Sequence, residues 1–163
     1  IMNRGYKPSS GSQAYINTLT PVLKGIVNEG FHIANTRKLH CPDISIVRGF
    51  ETAEGQFKLF MIGRKIVGEG KYIVTGPTVT KCDGYKLISD HQITDRDGKA
   101  IAFDFAAWVF GTDYKPGNMA LIATCFFEAA SNQNEDLDWG GNYKSISDGS
   151  HMSLIVKPTN IWF

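Results

Sequence analysis

Apolar residues at Leu23, Ile26 and Val27 recur at helical spacing, with Thr20 placed to cap, Pro21 at the first helical position and Gly30 placed to close. This pattern predicts one short helix from Thr20 to Gly30. Tyr15, Ile16 and Leu19 are candidates to extend this helix upstream, in which case Pro21 would force a break. Beyond Gly30 the pattern changes to short runs rich in β-branched and aromatic residues, bounded by Gly, Pro or Asp. Strands are expected over Asp43–Phe50, Gln56–Ile62, Lys71–Thr75, Thr78–Lys81, Tyr85–Thr94, Lys99–Phe110, Ala120–Ala129 and Ser150–Val156, with Ile161–Phe163 pairing last. Ser131–Asp138 reads as a polar loop, and Gly63–Gly70 as a glycine-rich turn without the Gly-Lys-Ser/Thr ending of a phosphate loop. Many strands with one short helix predict an all-β fold, mainly antiparallel and closed as a small barrel.

The length of 163 residues suits one domain, 1–163, with 1–12 expected to be flexible. Apolar residues are 42% and charged residues 20%, which excludes a disordered chain. A net charge of +1 with no basic stripe argues against a nucleic-acid partner, and no apolar run approaches the ~20 residues of a membrane span. The start lacks the pattern of a signal peptide, and Cys41, Cys82 and Cys125 are odd in number and widely spaced. Reduced thiols in a cytoplasmic protein are therefore expected, with a homodimer as an option.

Asp95-Arg96-Asp97-Gly98 fits a tight turn with Gly98 in the left-handed region. In the hairpin that this turn implies, Asp90 lies opposite Asp104 on a face shared with Trp108. An inward pair would raise one carboxyl pKa by repulsion and desolvation, giving a general acid beside a general base. An outward pair would simply be solvated, because the opposite face carries Phe103 and Phe105; alternation leaves the choice open. Glu128 follows Phe126-Phe127 and marks either a barrel mouth or a strand end in water. Trp139 and Tyr143 flank Gly140-Gly141, offering flat contact area to a ligand or framing a turn. His32, His40, His91 and His151 show no metal-ligand spacing and no Cys-x-x-Cys is present, so neither metal nor cofactor is expected. No Gly-x-Ser-x-Gly elbow or hydrolase triad is visible.

From Cys82 onward, Asp83-Gly84, the mixed-polarity run after it, Asp97-Gly98 and the run ending near Trp108 form a recognisable series. Together with Phe127-Glu128, Trp139, Asn142 and the closing β segment, it resembles a family of small microbial domains with lipocalin-like or allene-oxide-cyclase-like barrels. Basic residues of that family stand where this chain has Asp90 and Asp104. The resemblance implies a cavity for a small hydrophobic molecule and cofactor-independent cyclase or isomerase chemistry. Asp90, Asp104 and Glu128 are then the acid/base candidates, and Arg64, His91, Trp108, Trp139 and Tyr143 the substrate-binding ones. A non-catalytic carrier of an apolar ligand and a structural assembly protein are the alternatives.

Overall fold

The structure, a computed structural model, describes residues 7–37, 40–144 and 148–155. The expected strand at Ile161–Phe163, the end of the run at Val156 and the first half of the expected flexible start lie outside these residues. Four helices and an open antiparallel sheet appear among the described residues, in place of the expected closed all-β barrel. In chain order these are α1 (Ser10–Ile16), α2 (Pro21–Thr36), β1 (Asp43–Arg48), α3 (Ala53–Met61), β2 (Arg64–Gly68) and β3 (Lys71–Val74). They are followed by β4 (Ala102–Trp108), β5 (Thr112–Asp113), α4 (Pro116–Asn132), β6 (Leu137–Trp139) and β7 (His151–Leu154). The main sheet runs β1-β4-β7-β6, with β5 against the far end of β4, while β2 and β3 form a separate hairpin.

The helix signals at Thr20 and Pro21 hold: the Thr20 hydroxyl accepts from the Leu23 N–H at 3.2 Å. The helix runs past Gly30 to Thr36 because Gly30 is buried against α4 and does not end the helix. The largest corrections are α3 and α4, both expected as strands. Thr52 caps α3 by accepting from Gly55 N–H at 3.0 Å, and Phe57, Phe60 and Met61 then share a face at helical spacing. In α4 Pro116 opens the helix, and Met119, Ile122, Ala123, Phe126 and Ala130 form its buried stripe. The Leu121–Phe127 run is apolar almost all round, so periodicity over that short stretch does not separate strand from helix.

Tyr85–Thr94 is also not a strand. Ser89 and Gln92 form a reciprocal capping box around one 3-10 turn, Asp90–Gln92. The Asp95–Gly98 turn does form, with Gly98 at φ +73, but its hairpin reaches back only to Ile93 and Thr94. Gly63–Gly70 contains strand β2, whereas Thr78–Lys81 is irregular.

Alternation along β4 organises the interior. Phe103, Phe105 and Ala107 face the helices, and the Phe103 and Phe105 rings meet Phe126 of α4 edge-on at 5.1 and 5.3 Å. Each fully buried Phe contributes about 1.5–3 kcal/mol over its exposed state. Asp104 lies on the other face and pairs in register with His151 of β7, and across a bulge with Arg48 of β1. Buried Ser12 of α1 accepts the Ile46 N–H at 3.0 Å, which satisfies part of the β1 edge. No helix among the described residues is long and apolar enough to cross a membrane.

Gly30→Ala tests the α2–α4 contact. Alanine would gain up to about 1 kcal/mol of helix propensity. Its Cβ, however, would stand 2.4 Å from the Phe126 ring, which is fixed by Phe103 and Phe105. Overpacking should win, with a net loss of about 1–3 kcal/mol in denaturant unfolding; a gain in stability would contradict this packing.

Candidate metal centre and active-site cleft

The polar face of β4 opens into a cleft of about 440 Å³ lined by Arg48, Asp90, His91, Asp104, Asp148 and His151, among others. Three elements deliver the central groups. β4 supplies Asp104, β7 supplies His151, and the 3-10 turn after Ser89 supplies His91. That turn is tied to the end of β1 because the Glu51 N–H donates to the His91 carbonyl at 3.0 Å.

His91 Nε2 lies 3.0 Å from Asp104 Oδ1, and His151 Nδ1 lies 3.2 Å from the same oxygen. The far nitrogens are engaged as well. His91 Nδ1 is 2.8 Å from the Gly49 carbonyl, and His151 Nε2 is 3.2 Å from Asp90 Oδ2. A carbonyl only accepts, so His91 must carry its proton on Nδ1. A neutral His151 that donates to Asp90 likewise leaves Nδ1 bare. Two imidazole lone pairs and one carboxylate oxygen then converge within 4.8 Å of one another, with no proton between them.

Only a positive charge relieves that arrangement. Without metal the charge is a proton. Burial disfavours ionised His151, but hydrogen bonds and charge from Asp104 and Asp90 outweigh burial and push its pKa up to about 9. Burial likewise opposes ionised Asp104, and the hydrogen bond and charge from His151 outweigh it, holding the carboxyl well below the usual range. The hydrogen bond from His151 also lowers Asp90. The expected like-charge aspartate pair with one raised pKa is therefore corrected: His151 stands between the two carboxylates and depresses both.

The donor set fits zinc. Two imidazoles and one carboxylate, with a fourth position open to the cleft, form a common catalytic zinc site. Donor separations of 3.0 and 3.2 Å lie near the edge of a tetrahedron with bonds of ~2.0–2.1 Å. Both imidazoles hand their second N–H to an acceptor, Gly49 or Asp90, which fixes tautomer and ring orientation.

Further groups surround the cluster. Asp148 lines the cleft three residues before His151, and its backbone is held by the Asp148 N–H to Gly140 carbonyl bond at 3.0 Å. Arg48 reaches Asp104 Oδ2 at 3.7 Å and donates to Gln56, a fully buried side chain whose amide donates to the Cys82 carbonyl at 2.9 Å. The Arg48 Nε is buried without a hydrogen-bond partner.

Of the residues singled out in sequence, Asp90, His91, Asp104 and Tyr143 meet at the cleft. Trp139 lines a neighbouring cavity that shares Asp148 and Ser150 with it. Glu128 lies on α4, ion-paired with Arg37 at the surface. Arg64 sits on β2 with its guanidinium 4.0 Å over the Phe60 ring, and Trp108 is half exposed at the end of β4. In sequence, His151 is set aside for want of ligand spacing, and Asp148, Arg48 and Gln56 are not singled out; Asp148-x-x-His151 is a short spacing that pointed to those two residues, and none pointed to Arg48 or Gln56.

No protein-family model matches the chain, and no curated protein matches it. Among solved structures it resembles the crystal structure of Serratia marcescens L-Ala D-Glu endopeptidase ChiX. The TM-score is 0.65 at 18% identity, covering 92% of this chain and 91% of that one. That structure is of an endopeptidase, and the sheet here is open, so the expected lipocalin-like barrel, and the cyclase or isomerase chemistry read from it, are corrected.

The shifted groups set a pH dependence for the metal-free chain. The folded pKa of His151 lies above the ~6.5 of free imidazole, so its stabilising contribution is complete below pH ~6.5 and lost as pH rises through about 9. Asp104 and Asp90 have folded pKa values below the ~3.9 of free Asp, so theirs is present above that value and lost as pH falls through the folded values. The melting temperature of chelator-treated protein should fall between pH ~6.5 and ~9, and His151→Gln should remove most of that slope. A flat wild-type profile would contradict the proton assignment.

Proposed function

We propose that this chain is a zinc-dependent peptidase that hydrolyses a peptide bond lying in the cleft. The observation that carries the proposal is the convergence of His91 Nε2, Asp104 Oδ1 and His151 Nδ1 within 4.8 Å of one another, with the far nitrogen of each imidazole held by its own acceptor. Zinc held there supplies a Lewis acid for the scissile carbonyl and lowers the pKa of water. His91 and His151 bind as neutral imidazoles, so His151 must release its proton as metal enters. The likeness of fold to an L-Ala D-Glu endopeptidase supports a peptide substrate over a small hydrophobic one.

Asp148 has the position and chemistry of the general base. Asp148 lines the cleft, its backbone carbonyl accepts the His151 N–H at 3.0 Å, and its carboxylate accepts the Ser150 hydroxyl at 2.8 Å on an exposed side chain. In its ionised form it takes a proton from the attacking water, and then passes that proton to the departing amine. Arg48, held on its inner side by Gln56 and Asp104, directs a fixed positive charge at the cleft, where the carbonyl oxygen gains negative charge. Asp90 does not move the reacting proton; it orients His151. Cleft residues Leu59, Val79 and Ile88 provide an apolar wall for substrate side chains.

The test uses zinc-loaded chain and a short peptide containing an L-Ala-D-Glu bond, followed by mass spectrometry. Asp104→Asn and His151→Ala should lose both stoichiometric zinc and hydrolysis. Asp148→Asn should retain zinc while its rate falls by roughly 10²–10⁴. Unchanged hydrolysis in the Asp148 variant would remove it as the base. Undiminished hydrolysis after complete chelation would overturn the metal reading. A peptide with L-Glu in place of D-Glu tests whether the cleft shares the specificity in the neighbour's name.

A further inference from the structure

Two buried thiols lie on the helix side of the sheet and take no part in the cleft chemistry. Cys41 occupies the bend between α2 and β1, where its N–H donates to the Arg37 carbonyl at 2.8 Å. Cys125 sits in the middle of α4 and directs its thiol toward the Leu121 carbonyl at 3.6 Å. Their sulfurs are 3.8 Å apart, although the residues are 84 positions apart in the chain. They are 5% and 0% exposed, so water competes little for either sulfur. The third thiol, Cys82, is at the wall of the cleft, on the other side of the sheet.

The surroundings make the two thiols unequal. The Cys41 and Cys125 sulfurs are within hydrogen-bond reach of each other at 3.8 Å, and the positive charge of the Arg37 guanidinium acts on Cys125. Both contacts favour thiolate at Cys125, while proximity to it holds Cys41 protonated. Arg37 also pairs with Glu128, and both of these side chains are more than two-fifths exposed.

We propose that Cys41 and Cys125 form a disulfide by exchange with an external disulfide, tying α4 to the bend that precedes β1. The Cys125 thiolate attacks one sulfur of the external disulfide, whose S–S bond breaks and releases one thiolate that takes up a proton. Cys41 then gives up its proton, and its sulfur attacks Cys125 in the mixed disulfide, expelling the second external thiol. Two protein thiols are oxidised to one disulfide, and one external disulfide is reduced to two thiols. The sulfurs must close to the ~2.05 Å of a bond, and Cys41 is in an irregular bend where the backbone can yield. A bridge across so long a loop removes much of the freedom of the unfolded chain. Such a bond persists in an oxidising compartment and is reversed in a reducing one, where the three cysteines would be reduced as expected from sequence.

The test uses the full chain, purified with reductant, loaded with zinc and incubated with oxidised glutathione. After acid quenching, alkylation and digestion, mass analysis should find one peptide linked through Cys41 and Cys125, with Cys82 alkylated. The melting temperature should rise by roughly 5–15 °C and return on reduction, with zinc content unchanged. Cys41→Ala and Cys125→Ala should each abolish the rise; the measurement on the unsubstituted chain stands whether or not these variants fold. Alkylation of all three thiols, a bridge through Cys82, a glutathione adduct that Cys41 does not displace, or a bridge without the thermal shift would each overturn the proposal. Because the readout requires no peptide hydrolysis, its failure leaves the peptidase reading untouched, and the reverse also holds.

Discussion

The carboxylate of Asp104 is held in a mostly buried position between two imidazoles, and this one cluster constrains the surrounding architecture. A lone charge there would be expelled or neutralised, because desolvation is the largest influence on it. It stays ionised because β7 brings His151 alongside and the turn after Ser89 brings His91. Each imidazole is oriented by a further acceptor, one a backbone carbonyl at the end of β1 and the other Asp90. The cluster thus connects the two ends of the sheet's polar face with the loop that covers it. A divalent cation completes it more fully than a proton, since all three donors then keep their lone pairs directed at one point.

Alternation on β4 lets one strand serve two purposes. Phe103 and Phe105 anchor α4, and Asp104 between them is presented to the cleft. Helical packing on one face fixes the strand, and the strand fixes the carboxylate. Arg48 enters the cleft because a bulge in β1 shifts the register between Ile46 and Arg48, bringing the guanidinium beside Asp104. Gln56, buried at the start of α3, holds that guanidinium and grips the Cys82 carbonyl in the opposite wall. The likeness of the fold to the ChiX structure at 18% identity indicates that the fold is shared far beyond sequence similarity.

Strand β1, strand β4, the Gly98 turn and the start of α2 were legible in the sequence because each carries a local signal: alternation, a left-handed glycine or a capped proline. α4 was not, since its Leu121–Phe127 run is apolar on nearly every side and hides the helical period. The stripe from Met119 to Ala130, read together with Pro116, held the missing information. α3 was obscured because aromatic residues in a short run resemble a strand, and its Thr52 cap lies just outside that run. Asp90 and Asp104 drew attention as an acid/base pair and His91 as a substrate-binding candidate. Their convergence did not, because His91, Asp104 and His151 are separated by 13 and 47 positions and no local spacing encodes a cluster that the sheet assembles. The register between β4 and β7 supplies what spacing could not.

The most direct test of the metal centre is crystallographic. An anomalous-difference map from zinc-soaked crystals, recorded on both sides of the zinc absorption edge, locates the ion independently of any activity. The account predicts one strong peak ~2.0–2.2 Å from His91 Nε2, Asp104 Oδ1 and His151 Nδ1. A cleft without a peak at saturating zinc, or zinc bound only at a site lacking these three atoms, would contradict it.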